Sequence, residues 1–249
     1  MTRLLVLSTL VAAPLMACNP SADCSKDAAA PQGGDPVPLT TEDNLCLVAD
    51  HYVAGPGAPG VIMLHMNPES WDRKSWSIDF VRGIHANGWH VINLDRRGAG
   101  DSEGNPRDAF EGDGGRKDVE AAVRFLQNQS VSSFALVAAS NGTTSALDYA
   151  VWAQDNAEVE PVSMVMMSGG TYTENQHSVE ELAAVQTPTL FQADDEEGLW
   201  FDADLDAVDP GNWTYTEYPG AGHGSQMLDH TTDVEADILD HLDDNWPQL

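Results

Sequence analysis

Short apolar runs alternate with amphipathic segments along most of this 249-residue chain, and no other feature constrains its fold as tightly. The runs "GVIMLHM", "WHVINLD", "FALVAAS", "VSMVMMS" and "PTLFQA" each have the length of a strand. They do not alternate apolar with polar, so they predict strands buried on both faces. Between them, "SWSIDFVRGIHANG", "GRKDVEAAVRFLQNQ" and "TTSALDYAVWAQ" place apolar residues at helical spacing, and the first ends on a helix stop at Asn87-Gly88. Near the end, "WTYTEYP" reads as another strand and "MLDHTTDVEADILDHL" as a final helix. Upstream, "VPLTTEDNLCLVADHYVA" reads as two strands around a Glu-Asp-Asn turn. Strands alternating with helices predict an α/β domain whose mostly parallel sheet is covered on both faces. Functional sites in such sheets gather beyond the carboxyl ends of the strands. The interval between "VSMVMMS" and "PTLFQA" is about twenty residues, too short for a separate lid domain.

The first residues, "MTRLLVLSTLVAAPLMAC", combine one Arg, a short apolar run and a small-residue corner, as in an export signal. Residues 19–36 hold Ala, Pro, Gly, Ser and Asp with almost nothing to bury, and predict a flexible tether before a domain over 37–249. Leu15-Met16-Ala17-Cys18 resembles a bacterial lipobox. That resemblance implies cleavage before Cys18 and lipid on its sulfur, anchoring an exported protein to the membrane in the periplasm or at the cell surface. If Cys18 is incidental, the expectation is a secreted protein. Cys24 and Cys46 either pair in an oxidising compartment or remain free thiols.

Formal net charge is −29, and it is unevenly spread. All 11 Lys and Arg precede Phe125, and 23 acidic residues follow it without a single cation. Such a surface repels nucleic acid and anionic headgroups. It serves solubility, saline surroundings included, or else draws in a cationic substrate.

In "FALVAASNGTTSALDYA" a serine closes an apolar run and opens a helical pattern, flanked by Ala138 and Gly142. Two readings are open for Ser140. One is a helix N-cap. The other is a nucleophile lifted clear of the sheet by a sharp strand-to-helix turn, which needs small neighbours. A base is available in "GAGHG", where glycines let the His223 backbone carry an imidazole over a cleft; otherwise His223 is a solvated loop side chain. A third group must hold the imidazole tautomer. The run "DDEE" after "PTLFQA" offers Asp195, Glu196 or Glu197.

The segments "VIMLHM", "VINLDRRGAGDSEG", "AASNG", "PTLFQADDEE" and "GAGHG", in this order, resemble the α/β-hydrolase family over 37–249. The resemblance implies a mostly parallel sheet of about eight strands and hydrolysis through an acyl-enzyme. It implies Ser140 as nucleophile and His223 as base. The family's spacing from Pro188 points to Glu197 as the acid. The backbone amides of Met66 and Asn141 would form the oxyanion hole, with His65 packing the loop. Ala138 and Met66 stand where the family more often has glycine; Met66 narrows the site but keeps its amide. The outline is most similar to lidless dienelactone-hydrolase-like esterases, with a small-molecule ester or acyl substrate. A peptidase on the same scaffold and a catalytically silent binding module are the rivals. No cofactor or metal is expected. Asp202, Asp204 and Asp206 begin like a calcium loop, but Ala207 replaces its glycine and Trp213 its closing glutamate.

Overall fold

The computed structural model describes residues 33–197, 205 and 207–246. The export segment, Cys18, Cys24 and the Asp202, Asp204 and Asp206 cluster lie outside them. Cys46 is disulfide-bonded.

Eight strands form one sheet: β1 (Asp35–Thr40), β2 (Cys46–Tyr52), β3 (Gly60–Leu64), β4 (His90–Leu94), β5 (Phe134–Ala139), β6 (Ser163–Met167), β7 (Thr189–Asp194) and β8 (Trp213–Tyr218). Their order is β1-β2-β4-β3-β5-β6-β7-β8. The first two join antiparallel, β1 to β2 and β2 to β4, and the rest pair in parallel. The sheet therefore matches the expected mostly parallel architecture. β1 begins two residues inside the segment expected to be tether, because Asp35 and Pro36 pair with His51 and Asp50. Asn44 makes the β1–β2 turn in the left-handed region, at φ 65°.

Helices cover both faces. On one lie α2 (Gly114–Asn128), α3 (Gly142–Asn156) and α4 (Val179–Val185); on the other lie α1 (Ile78–Ala86), the single turn α5 (Met227–His230) and α6 (Thr232–Asp244). Ile62 and Leu64 of β3, and Leu136 and Ala138 of β5, point to the first layer. Val61, Met63, Val137 and Ala139 point to the second. Both faces are buried, which is why these strands read as unbroken apolar runs.

Two helical details depart from the sequence expectation. The segment before β7 contains α4, closed by a full capping box: Ser178 Oγ accepts the Glu181 N–H, and the Glu181 carboxylate accepts the Ser178 N–H. The final helix is broken at Thr231, whose extended backbone (φ −148°, ψ 136°) separates α5 from α6 while its side chain caps α6. Among the described residues, nothing between β6 and β7 is large enough to be a lid, and no helix is long and apolar enough to cross a membrane.

Candidate active site

The parallel register aligns the strand ends that carry the candidate residues. Leu64 pairs with Ala138, Ala139 with Met167, and Met167 with Gln192. The residues just beyond, Met66, Ser140, Ser168 and Asp194–Glu197, therefore share one edge of the sheet.

Ser140 continues the β5–β6 ladder by donating its N–H to Met167 O at 2.8 Å. Its backbone then turns into the left-handed region, φ 51°, and its carbonyl accepts the Thr143 N–H to start α3. A β-carbon bearing a side chain is strained there, and such strain collects at functional turns. The turn leaves room only for Gly142, since a Cβ at that position would stand 2.5 Å from Leu64 O. The N-cap of α3 is Asn141, with no side-chain cap bond, so the Ser140 hydroxyl does not serve the helix. It meets His223 Nε2 at 2.7 Å instead.

His223 follows β8 in the segment "GAGHG". Its Nδ1 side hydrogen-bonds Glu197 Oε1. Glu197 is thus the acid that reaches the ring, while Asp195 and Glu196 stay exposed in the turn. The second carboxylate oxygen of Glu197 accepts the Ser168 hydroxyl at 2.5 Å and the Asp194 N–H at 3.3 Å. Burial resists a charge on Glu197, but the bonds from His223 and Ser168 outweigh it and hold the carboxyl below its ordinary value. Glu197 is consequently ionised at neutral pH.

Three supporting residues carry no distinctive sequence signal. Ser168, also at positive φ (49°), bridges Glu197 to the Gly224 N–H, which it accepts at 2.7 Å. Asp194 accepts the N–H groups of Gly222 and Glu196, tying the acid turn to the histidine loop; those bonds, the Gly222 one first, keep its carboxyl below its ordinary value. Tyr172 donates its hydroxyl to Ser168 O at 2.5 Å. Burial pushes the Tyr172 phenol up to about 12, partly countered by a hydrogen bond with Ser140.

Met66 and Asn141 frame the other side of Ser140. Among the described residues, neither backbone N–H has a protein acceptor. The Met66 side chain is buried, pressed against Gly224 beside the histidine, where a Cβ would approach its sulfur to 2.6 Å. His65 packs the loop as expected. Its Nε2 accepts the Arg96 N–H at 3.0 Å, so Nδ1–H donates to Met66 O at 2.8 Å. Burial, followed by the Arg96 charge, pushes it down to about 3, and it stays neutral. Among the described residues, no group of three His, Cys, Asp or Glu side chains could hold a metal ion.

No protein-family model matches the chain, and no curated protein matches its sequence. Solved structures do resemble it. An esterase of Pyrococcus furiosus is 16% identical with a TM-score of 0.68, over 84% of this chain and 89% of that one. An α/β serine hydrolase without a lid, from Xanthomonas campestris, is 14% identical with a TM-score of 0.64, over 86% and 96%. An esterase from Rhodococcus is 13% identical with a TM-score of 0.65, over 82% and 97%. At these identities the likeness is one of fold: the chain has the α/β-hydrolase fold, with no lid domain among the described residues.

Proposed function

We propose that this protein is a serine hydrolase that cleaves a small-molecule carboxylic ester through an acyl-enzyme. The observation that carries the reading is the Ser140 hydroxyl, raised on a left-handed turn and 2.7 Å from His223 Nε2. Ser140 Oγ attacks the ester carbonyl carbon and passes its proton to His223 Nε2. The carbonyl oxygen becomes an oxyanion facing the Met66 and Asn141 N–H groups. Glu197 holds the ring with Nε2 free to accept that proton, and stabilises the imidazolium. Collapse breaks the bond to the leaving alkoxide, which takes the proton from His223. Water, deprotonated by the same ring, then attacks the acyl carbon; the Ser140 Oγ–acyl bond breaks, Oγ takes the proton back from His223 and the acid leaves. The esterases among the solved structures of this fold support an ester over a peptide substrate.

The test pairs a fluorophosphonate probe with p-nitrophenyl esters of increasing chain length. The wild type should be labelled and should turn over esters, and Ser140→Ala should do neither. Ser140→Ala protein hydrolysing esters at the wild-type rate would sink the assignment.

We propose further that the protein is exported and lipid-anchored through Cys18, a reading that rests on the sequence alone. Cys18→Ser should shift it from the membrane fraction to the soluble one; a wild type already soluble outside the cell would overturn the anchor.

A further inference from the structure

We infer that Arg96 is a positioning residue for the oxyanion site, its buried guanidinium locking the Met66 and Asn141 amides into one frame with a positive charge behind them. The inference rests on the acyl-transfer reading above. Arg96 follows β4, in a loop that contributes neither nucleophile, base nor acid.

Arg96 is 0% exposed, yet its bonds run to neutral groups. One terminal nitrogen donates to His65 O at 3.1 Å, Met66 O at 3.4 Å and Asn141 Oδ1 at 2.8 Å. The other donates to Ala109 O at 2.7 Å, Asn141 O at 3.2 Å and Ser145 Oγ at 2.9 Å. Among the described residues its Nε has no hydrogen-bond partner. Burial lowers it to about 10, and it remains a cation at neutral pH.

The neighbouring Arg97 shows what a structural arginine does in this loop. It pairs with Asp118 and Asp43. The charge of Asp118 offsets part of the burial of Arg96, but no carboxylate is bonded to its guanidinium, and a buried charge so placed is costly when the neighbouring arginine is paired directly. The placement of Arg96 relative to the amides gives that cost a purpose. The His65 carbonyl and the Met66 N–H belong to one peptide group. A cationic donor on the carbonyl end polarises that group and strengthens its N–H as a donor. The same guanidinium grips Asn141 by its side chain and its carbonyl, so the second amide cannot drift from the first. The Arg96 backbone N–H adds a further tie, through His65 Nε2. Fixed donors and a charge in a dry site act where negative charge develops, and their orientation costs nothing at the moment of reaction.

The experiment compares the wild type with Arg96→Met and Arg96→Lys in three measurements. These are kcat and KM on a short p-nitrophenyl ester, Ki for an alkyl boronic acid, and Ki for a neutral aliphatic alcohol of the same chain length. The boronic acid adds to Ser140 Oγ and seats an anionic oxygen at the amides; the alcohol does not. Arg96→Met should lower kcat by about 10²-fold, near the loss of one oxyanion donor, with KM little changed. Boronate affinity should fall by the same factor while alcohol affinity holds. Arg96→Lys keeps the charge but not the fork, and should lie between. Folded variants with wild-type kcat and boronate affinity would overturn the inference. So would equal losses of boronate and alcohol affinity, which mark a generally damaged site. Should Arg96→Met not fold, Arg96→Lys decides alone, and unchanged boronate affinity there overturns it. A wild type that neither takes the fluorophosphonate nor cleaves esters fails the acyl-transfer reading itself, and the inference with it.

Discussion

Ser168 Oγ donates a hydrogen bond to Glu197 Oε2 at 2.5 Å and itself accepts the Gly224 N–H at 2.7 Å. The residue beyond β6 thus joins the acid turn beyond β7 to the histidine loop beyond β8. A hydrogen bond to a carboxylate contributes about 1.5 to 3 kcal/mol, more than one between neutral groups. Ser168→Ala leaves Glu197 short of a donor and the Gly224 N–H buried without an acceptor. Turnover should fall by about tenfold while KM holds, because the bridge reaches Ser140 only through Glu197 and His223. Steady-state kinetics alongside a melting curve check it. A lower melting temperature with unchanged kcat would reduce the bridge to a structural role.

The three acids after β7 divide sharply by position. Glu197 reaches the His223 ring; Asp195 and Glu196 are exposed. Glu197→Gln should lower kcat by about 10⁴-fold, because an amide does not hold the imidazole tautomer as the carboxylate does. Asp195→Asn and Glu196→Gln should stay close to wild type. Loss at either of those positions comparable to that at Glu197 would move the acid elsewhere.

Much of this arrangement was legible in the chain. The strand runs are readable because β3, β5, β6 and β7 are buried on both faces, so apolar residues dominate both and polar ones such as Gln192 are few. Ser140 was readable from its position between strand and helix patterns, and the family's spacing selected Glu197 from four adjacent acids. Helix α4 is not legible, though "SVEE" spells its capping box, because seven residues are too few to show helical periodicity. Ser168 stands after an apolar run much as Ser140 does, yet no helix follows directly to mark the turn. Arg96 and Arg97 are indistinguishable as adjacent basic residues. Only the packing assigns one to two carboxylates and the other to the amide frame.

A pH dependence of stability follows from the buried pair His51 and His90. Their rings are 3.2 Å apart, His51 Nε2 to His90 Nδ1, and His90 Nδ1 also lies 3.3 Å from the Ala54 N–H. His90 Nδ1 is therefore the acceptor of both bonds and must stay unprotonated, while His51 donates from Nε2–H; burial disfavours a charge on either ring. Burial, then the neighbouring His90, pushes His51 from 6.5 down to about 4, and burial lowers His90 too. Once unfolded, both rings bind protons more readily, so the unfolded chain gains protons first as pH falls. The contribution is intact above about 6.5 and is lost progressively as pH drops toward about 4. His65 adds to the slope in the same direction, so the comparison needs a variant. Urea midpoints from pH 7.5 to 4 should fall less steeply for His51→Gln than for wild type. Parallel slopes would mean that the pair does not titrate with unfolding.

Gly142 links stability and catalysis in a single contact. It opens α3 directly after the Ser140 turn, and its φ is not in the left-handed region. Space, and not conformation, demands glycine here. A Cβ would lie 2.5 Å from Leu64 O and 2.7 Å from His65 O, both backbone atoms of the β3 end. No flexible side chain is available to yield, so Gly142→Ala must push α3 and β3 apart. Overpacking of this kind costs about 1 to 3 kcal/mol. The same displacement separates the Asn141 amide from the Met66 amide, because each is next to one of the clashing segments. Turnover should therefore fall by more than stability alone explains, by about 10²-fold at temperatures where the variant is fully folded, as for a lost oxyanion donor. Gly55→Ala is the control. Nothing lies within 4 Å of its Cβ position and its φ is not positive, so activity should be unchanged and stability equal or slightly higher. A folded Gly142→Ala protein with wild-type kcat would show that the two amides do not depend on the close approach of α3 to β3.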